Sequence, residues 1–254
     1  MPETITHKLH LSTIGDDSVS LAKQHGVGLE IADFCWAYHL DNGYEERLER
    51  IKADMRGIGS FWLHAPFAEL SPCAIDPRAR ELAAFRYRQA IDTALKLGIS
   101  DLVFHGGYIP QVYYPEYYVE SAIDFYKAFL KTVDAPVNIA LENVMEPSPD
   151  MLVEIAKGVG DARLGLCLDA GHANCNVSSL PPMEWIEPMS PYLKHIHIHN
   201  NLGDKDLHSP LGEGTVPMEE FINTVLSLCP TASFTVENQH CASSVEWLAQ
   251  KGYI

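Results

Sequence analysis

The sequence of 254 residues has little positive charge: 18 Lys and Arg residues stand against 34 Asp and Glu residues, a formal net charge of -16 at pH 7. A surface with this balance repels the phosphate backbone of nucleic acids and anionic lipid headgroups. We therefore expect neither nucleic acid nor a membrane as a partner.

The sequence also lacks the segments that direct proteins into membranes or out of the cell. No stretch approaches the roughly 18 consecutive apolar residues of a membrane span, and residues 1–10 contain no apolar run of the kind found in signal peptides. The six cysteines are scattered and include no C-x-x-C pair, which is typical of reduced thiols. These absences predict a cytoplasmic protein.

Apolar side chains, by contrast, are abundant. Hydrophobic residues make up 46% of the chain and charged residues 20%, so the chain can bury a large core. Its length matches that of a (β/α)8 barrel, which folds as one unit. We expect one domain over residues 1–254, and the sequence permits an oligomer without indicating one.

Short apolar or β-branched runs alternate along the chain with longer segments of helical periodicity. The predicted strands are Lys8–Thr13, Val27–Ala32, Ser60–His64, Asp101–His105, Val137–Glu142, Leu164–Asp169, Leu193–His199 and Ser233–Glu237. The predicted helices are Asp17–His25, Tyr44–Met55, Pro77–Leu97, Pro115–Val133, Pro149–Lys157, Pro217–Leu228 and Ala242–Lys251, with only a turn or two between the sixth and seventh strands. This alternation predicts an α/β fold with parallel strands, a (β/α)8 TIM barrel, although a doubly wound open sheet satisfies the same pattern.

The ends of the strands favour the barrel, because in a parallel barrel the C-terminal strand ends meet at one mouth that carries the chemistry. Six consecutive predicted strands end in or beside a side chain that can bind a metal: His64, His105, Glu142, Asp169, His197 and Glu237. Three more such side chains lie in the following loops: His172, Asp206 and His208.

Carboxylates and imidazoles crowded at one mouth repel one another or lose hydration energy unless a cation neutralises them. A single buried histidine at a strand end is more often a hydrogen-bonded core residue, but six candidate ligands at one level favour a metal site. Mixed imidazole and carboxylate ligands predict zinc, manganese or iron rather than calcium. The sequence leaves open which metal binds, and whether one, two or three ions do.

Strand seven places His195, His197 and His199 on one face, since side chains alternate along a strand. We favour His197 as the ligand and His199 as a residue behind the ligands or in contact with substrate. Further candidate substrate contacts are Asn143, which follows Glu142, Tyr108 in the loop after His105, and Lys205 in the loop after strand seven. Glu30 is open to two interpretations, a barrel-interior residue or a substrate contact.

These residues give the chain a resemblance to the xylose isomerase-like superfamily of TIM barrels, which includes sugar and sugar phosphate isomerases and epimerases and the endonuclease IV family. The resemblance extends over nearly the whole chain. It rests on the motifs H-A-P-F at His64, F-H-G-G at His105, A-L-E-N at Glu142, C-L-D-A-G-H at Asp169, H-I-H at His197, D-L-H-S-P-L-G-E-G at Asp206 and T-V-E-N at Glu237.

Two branches of the superfamily imply two different chemistries. Resemblance to the isomerases and epimerases implies one metal held by Glu142, Asp169, His197 and Glu237, with the two glutamates as acid and base. Resemblance to the endonuclease IV branch implies three zinc ions. The first would be held by His64, His105 and Glu142, the second by the four residues just named, and the third by His172, Asp206 and His208.

The remainder of the chain favours the first branch. Neutralising several phosphates requires several basic residues at the mouth, and only Lys205 lies in a predicted mouth loop. The loop after His105 reads G-G-Y-I-P-Q-V-Y-Y, which is uncharged and aromatic and suits a small polyhydroxy substrate. We therefore expect a divalent-metal-dependent isomerase or epimerase that acts on a small sugar, a sugar phosphate or a related polyhydroxy compound. The alternatives are a phosphoesterase of the endonuclease IV type, a dehydratase and, least favoured, a metal-binding protein without catalysis.

Overall fold

The computed structural model describes residues 4–254. These residues form a closed barrel of eight parallel strands that neighbour one another in chain order. The strands are β1 Leu9–Ser12, β2 Gly28–Ile31, β3 Phe61–His64, β4 Asp101–His105, β5 Asn138–Glu142, β6 Leu164–Asp169, β7 Leu193–Ile198 and β8 Ser233–Val236. The predicted (β/α)8 barrel is thus confirmed, and the doubly wound sheet is excluded.

The helices surround this barrel. They are α1 Ser18–His25, α2 Tyr38–Asp41, α3 Tyr44–Asp54, α4 Pro77–Lys96, α5 Pro115–Leu130, α6 Asp150–Val159, α7 Met183–Met189, α8 Met218–Leu228 and α9 Ala242–Lys251. None of the helices within residues 4–254 is both long and apolar enough to cross a bilayer. Residues 1–3 lie outside the described part of the chain, so one domain over residues 1–254 stays a prediction.

Local sequence signals explain most of these bounds. Asp76 accepts a hydrogen bond from the backbone nitrogen of Arg78 at 2.8 Å and caps α4, which begins at Pro77 as predicted. The proline-rich segment before β7 forms the short α7, also as expected. The short helix α2 was not predicted, because four residues are too few for helical periodicity to appear.

The main core lies between the sheet and the helices, where, for example, the ring of Tyr87 on α4 packs 4.3 Å from that of Phe104 on β4. A second, smaller apolar cluster fills one side of the barrel interior. It consists of Trp62, Val103, Ala140 and Cys167. The opposite side of the interior is polar, since β2, β7 and β8 contribute Glu30, His195 and Thr235, all fully buried.

The strand register brings the chemical side chains to one level. His105 pairs with Glu142 between β4 and β5, and Asp169 pairs with His197 between β6 and β7. Because side chains two residues apart lie on the same face of a strand, His64 lies one step above Trp62, and His197 one step above His195. The mouth therefore carries the ligand-type residues, directly above the layer that fills the barrel.

The close packing of the interior leads to a testable prediction at Gly28. A Cβ atom at this position would lie 2.3 Å from the ring of His10 and 2.6 Å from the carbonyl oxygen of Ser60. We expect Gly28→Ala to lower the free energy of unfolding by about 1–3 kcal/mol, the usual cost of overpacking, in urea denaturation followed by circular dichroism. Gly59→Ala is the matched control, because a Cβ there meets nothing within 4 Å. Equal stability of the two variants would contradict the packing described.

Candidate metal centre

Four buried side chains converge at the centre of the mouth, and His197 is their common neighbour. Its Nδ1 atom lies 3.2 Å from Glu142 Oε1, 3.7 Å from Asp169 Oδ2 and 3.6 Å from Glu237 Oε2. Ligands of a zinc ion sit about 2.0–2.2 Å from it, so atoms that share one ion lie no more than about 4.4 Å apart. All three distances are within that limit, and the four residues form the central group.

The second oxygen of Glu142 faces a different pair of histidines. Glu142 Oε2 lies 3.3 Å from His64 Nε2 and 3.2 Å from His105 Nε2. This oxygen is buried and has no hydrogen-bond partner of acceptable geometry. A cation bound at this place would have two imidazole nitrogens and one carboxylate oxygen as ligands. We call His64, His105 and Glu142 the β3–β5 group.

A third group lies nearer the surface, around Asp206 in the loop after β7. Asp206 Oδ2 lies 3.2 Å from His172 Nε2 and 3.0 Å from His208 Nε2. His199 belongs to the same group, since its Nε2 atom is 3.7 Å from Asp206 Oδ1 and its ring stacks on that of His208 at 3.9 Å. We call these four residues the loop group. The nine predicted ligand residues thus fall into three adjoining groups.

In several histidines of the mouth the outer nitrogen, which is the ring nitrogen that would not bind the metal, bonds to the backbone. This bond fixes the orientation of the ring. His64 Nδ1 donates to the carbonyl of Ala65 at 2.9 Å. His172 and His208 do the same to the carbonyls of Asn143 and Glu237, each at 2.8 Å. Because a carbonyl only accepts, Nδ1 must carry the hydrogen. Nε2 then faces the carboxylates with either a proton or a lone pair for a metal ion.

The ionisable side chains of the mouth shift one another's pKa values. Burial opposes ionisation of Glu142, but the charges of His197 and His105 hold its pKa well below the usual range. Burial likewise opposes protonation of His208, yet its hydrogen bond to Asp206 and the charge of Glu237 raise its pKa to about 9. Without another cation, the carboxylates of the mouth are therefore balanced by protonated imidazoles.

These features fit a divalent metal. The central group offers one imidazole and three carboxylates, the β3–β5 group two imidazoles and a carboxylate, and the loop group three imidazoles and a carboxylate. Mixed nitrogen and oxygen ligands of this kind suit zinc, manganese or iron. In each group the donor atoms lie close to one another. The donor set and the orphaned oxygen of Glu142 both match such an ion.

The mouth opens into a cavity of about 350 Å³. Glu142 and Glu237 both line it, together with the loop residues Trp36 and Phe67. Phe67 stacks on His105 with a ring separation of 4.3 Å. No lysine or arginine occurs among the described residues that line this cavity. A larger groove lies along α8 on the outside of the barrel, and none of the carboxylates of the three groups lines it.

Three predicted substrate contacts, Asn143, Tyr108 and Lys205, lie outside the lining of the mouth cavity. Asn143 is buried, and its side chain bonds to both backbone polar atoms of Asp169, at 2.8 and 3.1 Å, so it positions β6 rather than meeting a substrate. Tyr108 packs against Tyr118 and does not line the cavity. Lys205 is exposed and also lies outside the lining. The structure therefore favours none of these three as a substrate contact.

The sequence contained no indication of a role for Trp36 or Phe67, and it left the position of Glu30 undecided. Trp36 and Phe67 line the cavity, but nothing in their spacing distinguishes them from core aromatics. Glu30, which the sequence left open, lies in the barrel interior beneath the central group and contacts His195 and His197. The alternation of side chains along β2 was the only available signal for its position.

Known proteins resemble this chain over most of its length. The uncharacterized protein MJ1311 of Methanocaldococcus jannaschii is 29% identical in an alignment of 195 positions that covers 72% of this chain and 66%, just under two thirds, of that protein. A solved structure described as a D-tagatose 3-epimerase-like protein has a TM-score of 0.80 at 24% identity and covers 97% of this chain and 96% of its own. The TTHB071 protein from Thermus thermophilus, after soaking with ZnCl2, gives a TM-score of 0.75 at 25% identity and covers 96% of this chain and 99% of its own.

A family model agrees with these similarities. The model described as xylose isomerase-like TIM barrel matches residues 19–250, a range that includes all eight strands except β1. The motifs that carry the resemblance in the sequence all fall within that range. The chain therefore belongs to the xylose isomerase-like TIM barrel family.

Proposed function

We propose that the chain is a divalent-metal-dependent isomerase or epimerase of a small polyhydroxy compound, with Glu142 and Glu237 as its acid and base. One observation carries the proposal: the two glutamates belong to the same central group and line the same cavity of about 350 Å³. A cavity of this size suits a small molecule. The enzymatic names of solved structures with this fold are in accord with it.

Glu142, Asp169, His197 and Glu237 would hold the zinc, manganese or iron ion, which when bound would polarise a carbonyl and its neighbouring hydroxyl and so acidify the carbon between them. The protein residues then move the proton. One of the two glutamates, in its ionised form, would accept the proton from that carbon. The other glutamate, protonated at the outset, would return its proton and be left ionised, and the configuration or the carbonyl position of the product differs from that of the substrate.

The cavity lining supports an uncharged substrate. A phosphate group is usually bound by lysine, arginine or a helix N-terminus, and the described lining residues include neither basic residue. Trp36, Phe67 and Ile14 instead add apolar surface to the lining. Such a surface suits the carbon face of a polyol, while the metal centre binds its oxygens.

The three adjoining groups favour a second candidate, the hydrolysis of a phosphoester. Metal ions spaced closely along a substrate stabilise both the attacking and the leaving oxygen, and each of the three groups has at least three donors. Three zinc ions per chain, with release of p-nitrophenol from bis(p-nitrophenyl) phosphate, would replace the leading proposal by this one. A product lighter by one water would instead indicate a dehydratase.

Metal binding should stabilise the folded chain. At a zinc concentration about 100 times the dissociation constant, we expect a gain of about 2.7 kcal/mol in the free energy of unfolding, seen as a rise in Tm that a chelator reverses. Asp169→Asn should remove most of this rise, because Asp169 is a buried member of the central group. Asp101→Asn, at the opposite end of the barrel, should retain it. An equal rise in both variants would show that zinc binds elsewhere.

Proton transfer should be visible in heavy water. With metal-loaded protein and a panel of ketopentoses and ketohexoses, free and phosphorylated, we expect deuterium to enter the carbon next to the carbonyl of a free sugar, measured by NMR. Glu237→Gln at saturating metal should lower kcat by about 10²–10⁴, the usual contribution of a general acid or base. The exposed Glu213→Gln is the control and should keep full activity. Undiminished exchange in Glu237→Gln would remove Glu237 from the mechanism.

A further inference from the structure

His197 differs from three other histidines of the mouth in the partner of its outer nitrogen, the ring nitrogen that would not bind the metal. In His64, His172 and His208 that nitrogen donates to a backbone carbonyl. His197 lies on β7 in the barrel interior, where the strand carbonyls pair along the sheet. Its Nε2 atom instead lies 3.1 and 3.2 Å from the two carboxylate oxygens of Glu30 on β2, across the barrel.

Glu30 is itself held firmly. It is fully buried, and its Oε2 atom accepts a hydrogen bond from Thr235 Oγ1 at 2.8 Å and lies 2.9 Å from His195 Nε2. His195 in turn bonds through Nδ1 to Ser233 Oγ at 2.6 Å, and its ring stacks on Trp62 at 4.0 Å. The carboxylate is therefore fixed by side chains from β7 and β8 and has little freedom to move.

This contact determines which nitrogen of His197 faces the carboxylates of the mouth. A carboxylate accepts hydrogen bonds, so the hydrogen of the His197 ring is retained on Nε2 when Glu30 is its partner. Nδ1, which lies 3.2 and 3.6 Å from Glu142 and Glu237, then has a lone pair for a metal ion held between it and these carboxylates. A carboxylate behind a ligating imidazole also increases the basicity of the ring and sets its orientation.

We propose that Glu30 is a positioning residue for the metal centre: its carboxylate orients His197 and thereby increases the affinity of the central group for a divalent ion. The inference rests on the metal centre proposed above, and it holds for either reaction considered there. Glu30 does not line the cavity, so it acts through His197 and not on the substrate. Glu30 is also close enough to hold an ion together with His195 and His197, or with His64 and Glu237, but its Oε2 atom is already engaged by Thr235 and His195.

Cobalt binding provides the test, because the visible absorption of Co²⁺ reports on its ligands and competition with a chelator gives its dissociation constant. In Glu30→Gln the carboxylate charge is lost, and in Glu30→Asp the charge stays but the oxygens withdraw from Nε2. We expect both variants to bind Co²⁺ about 10- to 100-fold more weakly than the unaltered protein, with changed absorption bands. Glu146→Gln is the matched control, because Glu146 is also a buried glutamate but belongs to none of the three groups. It should keep the Co²⁺ affinity within about twofold and the same spectrum.

The outcomes separate the inference from the proposed function. If the unaltered protein binds no Co²⁺, the metal centre itself is refuted, and the role of Glu30 with it. If the unaltered protein binds Co²⁺ and folded Glu30→Asp binds it with the same affinity and spectrum, the metal centre stands and the positioning role is refuted. Thermal melts of all variants identify those that are folded, and Glu30→Asp keeps the test decisive if Glu30→Gln does not fold.

Discussion

The two oxygens of Glu142 face two different sets of imidazoles, and the organisation of the mouth depends on this sharing. One oxygen contacts His197 and the other contacts His64 and His105. A buried carboxylate loses several kcal/mol of hydration energy unless positive charge or hydrogen bonds replace the water. At this mouth Asp169 and Glu237 are buried beside Glu142, with no lysine or arginine among the described lining residues. Imidazolium protons or metal ions must supply the compensating charge.

The barrel makes this arrangement possible because its strands supply side chains in layers. The lower layer is apolar on the side of β3 to β6 and polar on the side of β2, β7 and β8. The polar side contains Glu30 and His195 directly beneath His197, so the centre is supported from below by fixed hydrogen bonds. The loops add Asp206, His208 and Trp36 to the lining of the cavity. A polar floor, a ligand level and a partly aromatic rim thus follow one another along the barrel axis.

The sequence predicted much of this arrangement. Each strand differs from its predicted bounds by no more than one residue at either end, because β-branched runs and strand-end ligands mark the strands clearly. The ligand candidates could be predicted since the C-terminal ends of parallel strands share a mouth. The partners of Glu30 could not, because contact between β2 and β7 across the interior depends on strand tilt and side-chain rotamers. For the same reason the sequence did not predict that Tyr108 packs against Tyr118 of α5 or that His199 lies in the loop group.

The most direct test is to locate metal in crystals of the protein grown with Zn²⁺, by anomalous diffraction on either side of the zinc absorption edge. The account requires an anomalous peak about 2.0–2.2 Å from His197 Nδ1 and from carboxylate oxygens of Glu142, Asp169 and Glu237. Further peaks between His64 and His105, or beside Asp206, would show how many ions the mouth holds. Fully ordered side chains at the mouth with no anomalous peak among them would contradict the account.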